Sequence, residues 1–222
     1  MRRFEFPVDG EYAREVNETV VDMRRLRLWS IVVACVLGVL TAGLIWLDHP
    51  STYILASVFV IAIVIALWVA IWSPRRLGSI EKVYATGDLV PAMIAEVHTR
   101  SITILALVDV AKPAAKGTKY ALVARSVRTL PGHKRWPGEK VPAVSVLSDR
   151  VPRPGADTWQ VANPMPIAWG TADSEVIAQA VSAISDVEWN VLARNVSRSR
   201  RVRKATGQRL LLDAEEVPAE LR

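Results

Sequence analysis

The side chains best suited to chemistry are scattered along this chain. Its three histidines, His49, His98 and His133, lie far apart, with no H-E-x-x-H or H-x-x-x-H pair to set two imidazoles on one helix face for zinc or haem. Cys35 is the single cysteine and falls in an apolar run, so one chain can build neither a disulfide framework nor a cysteine-based metal site. Phosphate cradles need glycines for close backbone approach, and neither G-x-x-x-x-G-K-[ST] nor G-x-G-x-x-G occurs. No serine sits in a G-x-S-x-G elbow. The expectation is a non-catalytic protein without metal or cofactor. The pattern that stands out is one of charge: Arg194, Arg198, Arg200, Arg201, Arg203, Lys204 and Arg209 follow one another with no acid between them. At about 1 kcal/mol per basic residue near anionic lipid, such a stretch could pin itself to a membrane surface or to an acidic partner.

The elements that carry this stretch can be read upstream of it. Thr171-Ala-Asp-Ser-Glu has the form of a helix start, with Thr171 or Asp173 as the cap. Ile177, Val181, Ile184 and the run from Trp189 to Leu192 supply an apolar face, giving a C-terminal helical basic region over 171–209. The tail, 210–222, turns acidic and is expected to be mobile or ordered by a partner. Over 87–170, short segments rich in branched and aromatic residues read as strands: Ala92 to Val97, Ser101 to Val110, Tyr120 to Val127, Ala143 to Leu147 and Trp159 to Val161. A small antiparallel β-barrel or curled sheet is their natural closure, an α+β domain once the C-terminal helix is added. One motif recurs: Gly87-Asp88-Leu89-Val90-Pro91-Ala92-Met93 and Gly138-Glu139-Lys140-Val141-Pro142-Ala143-Val144. Each copy reads as a turn leading into a strand, with its donorless proline expected at a first or edge position. Residues 73–86 serve as connector, with a short helix or link from Leu77 to Thr86.

Mean hydropathy is +0.22 and 51% of residues are hydrophobic, above the roughly 45–50% of soluble domains, so part of the chain belongs in lipid. Two runs explain the excess. Leu28 to Leu47 and Tyr53 to Trp72 hold no charge over about twenty residues each, enough at ~1.5 Å per residue for a ~30 Å hydrocarbon core. Unpaired amides cost several kcal/mol in lipid, so each run must be helical, and 28–72 forms a hairpin. The first run is too long, and too soon followed by the second, for a cleavable leader. Arg24, Arg25 and Arg27 precede the hairpin, Arg75 and Arg76 follow it, and the turn has Asp48 but no Lys or Arg, which puts both ends in the cytoplasm. Trp29, Trp46, Tyr53, Trp68 and Trp72 lie near the ends of the spans as interface anchors. With no Asp, Glu, Lys, Arg or His inside the runs, no ion path or proton relay is expected. Ala34, Gly38 and Ala42 recur every four residues and could admit a second helix, in the hairpin or from another protein.

In the N-terminal arm, 1–27, Asp9 could cap an amphipathic helix with Tyr12, Val16, Val20 and Met23 on one stripe. The arm has six arginines and six acids, and the hairpin only Asp48, which leaves 22 basic against 15 acidic groups beyond residue 72. The part facing water is therefore the cationic one, and its partners should be anionic lipids or acidic proteins; the tether disfavours nucleic acid.

A two-helix anchor followed by a small cytoplasmic β-barrel, entered by Gly-acid-x-Val-Pro-Ala, resembles actinobacterial membrane proteins of uncharacterised function and, more loosely, the barrel-bearing NfeD class. In size and layout the chain is also similar to small accessory subunits of the actinobacterial cytochrome bcc and oxidase supercomplex. That resemblance implies a non-catalytic accessory or assembly subunit of a larger integral membrane complex, with respiratory-chain cytochromes of electron transport as first candidates. The residues alone leave open a free-standing module at the cytoplasmic membrane that binds anionic lipid or recruits a cytosolic protein.

Overall fold

The computed structural model describes residues 3–47, 49–72, 80–151 and 155–221. The chain forms two compact units, Asn17–Ser79 and a second made of Met1–Val16 with Ile80–Arg222.

The first unit is an antiparallel helix pair, α2 (Glu18–Trp46) and α3 (Pro50–Trp72), each long and apolar enough to cross a membrane. Asn17 caps α2 by accepting the amide of Thr19 at 3.1 Å. That cap breaks the expected N-terminal stripe in two: Val20 and Met23 belong to α2, while Tyr12 and Val16 belong to the preceding helix. Helix α3 starts at Pro50 rather than Tyr53, because proline's fixed φ and missing donor suit the first helical position. The buried contacts between the helices are small, Ala34 and Thr41 on one and Ala56 and Ala70 on the other, which lets the backbones approach. Of the expected small-residue stripe, Ala34 is in the contact, whereas Ala42 is exposed and a Cβ on Gly38 would meet nothing. Ser30, Thr41 and Ser57 donate to carbonyls three or four residues earlier at 2.7–2.8 Å, so their hydroxyls need no other partner.

The second unit begins with α1 (Gly10–Val16), capped as expected by Asp9, whose carboxylate accepts the amides of Glu11 and Tyr12 at 3.0 Å. It resumes with α4 (Ile80–Thr86) and then strands β1 (Asp88–Val97), β2 (Ile102–Asp109), β3 (Tyr120–Val127), β4 (Lys140–Ser148) and β5 (Val161–Pro166). Helices α5 (Ser174–Ala183), α6 (Asp186–Asn195) and α7 (Ser199–Lys204) follow, and β6 (Arg209–Leu211) closes the set. The sheet is antiparallel throughout, in the order β5-β4-β1-β2-β3-β6. It curls into a half-barrel, since Arg125 on β3 reaches the Pro164 carbonyl on β5 at 2.8 Å although other strands separate the two in the ladder order.

Period-two alternation buries both faces. Small and branched residues line the inside of the curl, among them Val90, Ala92, Ile104, Ala106, Val123 and Ala143, around the fully buried Trp169. The Trp169 indole donates to the Thr129 carbonyl at 3.0 Å and lies 4.7 Å under the Arg125 guanidinium. The other face presents Leu89, Leu105, Leu107, Leu122 and Val144 to Ile184, Trp189, Leu192 and Val202 of the helical layer. At roughly 1.5–3 kcal/mol per buried large apolar side chain, this contact orients the helices that carry the basic residues.

The repeated motif has a different physical reason in each copy. Gly87 is held by space, since a Cβ there would lie 2.2 Å from Val144 Cγ1 and 2.8 Å from the Ser145 carbonyl oxygen. Gly138 is held by its φ of +93°. The prolines are neither first residues nor on edge strands: Pro91 faces Pro142 across the interior β1–β4 pair. They are tolerated because β1 pairs with β2 only from Ala92 onward, and β4 with β5 only from Ala143, so each proline precedes the ladder it would have to join. The C-terminal segment also differs from expectation. It is folded into the domain, with β6 paired to β3 and Leu212 and Val217 buried in the core.

Candidate interaction face

The basic run from Arg194 to Lys204 occupies three successive pieces of helix, the last turn of α6, a 3₁₀ turn at Val196–Arg198, and α7, whereas Arg209, expected on the same helical region, opens strand β6. Helix α6 begins with a capping box, Ser185 and Glu188 satisfying each other's backbone amides, and Asp173 caps α5 through the Glu175 amide at 2.8 Å. Ser199 and Val202 anchor α7 by burial, which fixes the direction of every other side chain on it.

Two of the six predicted contact cations are turned inward. Arg198 donates from Nη1 to Asn195 Oδ1 and to Glu216 Oε1, both at 2.9 Å. Arg203 lies 3.4 Å from Glu96 Oε2 and 3.2 Å from His98 Nε2. The run lacks acids of its own, and the fold supplies them from β1 and from the C-terminal segment. Glu96 is the hub: Ser199 donates to its Oε1 at 2.6 Å and His98 Nε2 lies 3.3 Å from its Oε2. The Ser199 hydrogen bond, aided by Arg203, His98 and Arg200, holds the Glu96 carboxyl below the usual carboxylate range against the opposing effect of burial. Ser199 on α7 donates to a carboxylate on β1 that Arg203 also approaches, so the cluster is a clasp between α7 and the sheet.

Arg194, Arg200, Arg201 and Lys204 remain exposed. Residues 194, 197, 201 and 204 follow at steps of three and four on a nearly continuous helical path, so Arg194, Arg201 and Lys204 form one ridge with Ser197 in its middle, and Arg200 is exposed beside it. The cationic surface continues past the clasp, because Arg135 Nη2 donates to the His98 carbonyl at 3.2 Å. Sequence reasoning singled out neither Glu96 nor Arg135; their roles arise from strand pairing and a loop, which no short motif encodes.

The unit also has an acidic recess. A cavity of about 510 Å³ is lined in part by Asp88, Asp109, Glu188 and Glu220. Asp109 accepts the amides of Ala111 and Lys119 at 2.9 and 3.0 Å and Glu188 closes the α6 capping box, so two of these acids serve the backbone. Burial raises the Asp88 carboxyl, Asp109 adds to the rise, and Arg3 opposes it. Among the described residues, no group of three or more His, Cys, Asp and Glu side chains could hold a metal ion.

On the hairpin, the predicted anchors among the described residues are exposed. Trp29, Trp46, Tyr53, Trp68 and Trp72 are exposed, and Trp68 stacks on Trp72 at 5.3 Å between centroids. Arg24, Arg25 and Arg27 are exposed on α2 itself, which begins ahead of them; Arg75 and Arg76 lie outside the described residues.

No curated protein matches this chain. A crystal structure described as "a putative membrane protein from Corynebacterium diphtheriae" is similar, with 39% identity and a TM-score of 0.53, over 56% of this chain and 100% of that one. Residues 75–200 match the family described as protein of unknown function, DUF3239.

Proposed function

From the premise that this chain belongs to the DUF3239 family, of unknown function, we propose that it is a non-catalytic module of the cytoplasmic membrane. In this reading the hairpin spans the bilayer with both ends in the cytoplasm, and the folded unit docks through its cationic ridge on anionic lipid. The observation that carries the reading is the ridge with its neighbour: Arg194, Arg201 and Lys204, and Arg200 beside them, stay exposed while Arg198 and Arg203 are engaged in internal pairs. Four cations at about 1 kcal/mol each suffice to hold a tethered domain against a surface it already meets at high local concentration. Two helices with long apolar runs, rimmed by exposed tryptophans, and a relative described in membrane terms support the tether.

The test uses the full chain in lipid nanodiscs, with Cys35 replaced by serine and an environment-sensitive dye on Ser197→Cys. A blue shift on phosphatidylglycerol that is absent on phosphatidylcholine alone and collapses in molar salt supports lipid docking. An unchanged spectrum on both lipids overturns it.

A second reading, an accessory or assembly subunit of a larger membrane complex such as a respiratory one, is favoured by the outer faces of the hairpin. A Cβ at Gly38 or Gly43 would meet nothing within 4 Å, so another helix could approach there. Mild-detergent purification with mass spectrometry of co-eluting proteins tests it, and a chain that elutes alone counts against it.

A further inference from the structure

The second unit has four tryptophans among its described residues, and three of them are explained by the fold. Trp169 and Trp189 are buried, and Trp159 is half-buried beside Lys112. Trp136 is 53% exposed at the tip of the loop between β3 and β4. An indole left in water keeps an amphipathic ring available to a partner surface.

The loop is built to present it. Leu130 roots the segment in the core at 6% exposure. Gly132 and Gly138 take φ values of +75° and +93°, and Pro131 and Pro137 stiffen the chain beside them. Glu139 clamps the interior, accepting the Trp136 indole N–H at 2.8 Å on Oε2 and lying 3.4 Å from His133 Nδ1 on Oε1. The Trp136 amide donates to the Lys134 carbonyl at 3.0 Å, and Lys134 Nζ sits 4.9 Å from the centre of the indole. Arg135 is exposed between them, tied through the His98 carbonyl to the clasp beside the α7 ridge. One indole and two flanking cations are thus exposed on one short turn.

We propose that this loop is a lipid-interface wedge, in which Trp136 enters the headgroup layer of an anionic bilayer while Lys134 and Arg135 meet its phosphates. The proposal rests on the lipid-docking reading for its choice of partner and adds a second contact, independent of the ridge. Indole is at home at the boundary between headgroups and hydrocarbon, and the two cations supply the preference for negative lipid. Single-stranded nucleic acid fits less well. Such sites stack successive bases on several aromatics along a groove, and this loop offers one.

The test uses the full chain in nanodiscs of phosphatidylcholine alone or mixed equally with phosphatidylglycerol, carrying lipids brominated near the headgroup. The signal is the tryptophan fluorescence that disappears in Trp136→Phe, a change that keeps an aromatic and should leave the thermal transition in place. Quenching of that share by brominated lipid, at least about twofold stronger with phosphatidylglycerol and losing the preference in Lys134→Gln/Arg135→Gln, is the expected result. No quenching on either lipid overturns the wedge, as does quenching by a single-stranded oligonucleotide without lipid. The Ser197 dye separates the two ideas. A lipid response there without Trp136 quenching leaves the ridge and removes the wedge; quenching without a dye response does the reverse.

Discussion

Glu96 accepts its hydrogen bond from Ser199 in the same place where Arg203 and His98 approach it, with 17% of its side chain exposed. Its carboxyl is held below the ordinary range in the folded state, so the native fold favours the charged form. The stability this supplies is present above the ordinary carboxylate pKa and fades as pH falls through the lowered folded value. Glu96→Gln should therefore lower stability at neutral pH by about 1 kcal/mol and flatten the acid limb of a melting-temperature profile. An unaltered limb would show that the clasp contributes nothing to folding. Asp88 runs the other way. Burial raises its carboxyl, so the folded state holds the proton more tightly, and the group weakens the fold as pH rises past the ordinary carboxylate value. Asp88→Asn is expected to raise the melting temperature at pH 7 and to lose that advantage in acid; a drop at pH 7 would assign the carboxylate a stabilising partner.

Among the elements, the two copies of the glycine-acid-proline motif make a matched experiment. An alanine at Gly138 meets open space and suffers only from the left-handed backbone, about 1–2 kcal/mol. An alanine at Gly87 puts a methyl into Val144 and the Ser145 carbonyl, so β1 and β4 would have to part. Gly87→Ala should be the more destabilising of the two in urea titration, and equal losses would refute the close-packing account. The motif was readable as a strand entry, and both strands are there. Its prolines were misplaced because the sequence shows that a donor is missing but not where each ladder begins. The tail was misread for a related reason: Arg209–Leu211 is too short for a strand signal, and it is ordered by the edge of β3, which lies far away in sequence.

For the whole molecule, the topology proposed from the arginine flanks has a direct check. In cells carrying the Cys35→Ser chain, an impermeant maleimide should label Ser51→Cys at the turn and leave Ser197→Cys untouched until the membrane is opened. Labelling of Ser197→Cys from outside would invert the orientation and take the lipid-docking reading with it. The division of the chain into two units fits a tethered module, in which an apolar pair of helices and a domain with its own two-faced core are each complete.

The apolar helices, the strand-rich domain and the surplus of positive charge were settled by the sequence, because run length, alternation and composition act locally or add up without regard to partners. Which cations remain available was settled by the tertiary structure. Glu96 comes from a strand about a hundred residues before Ser199, and Glu216 from a segment expected to be loose. Pairing across that distance depends on sheet register and helix packing.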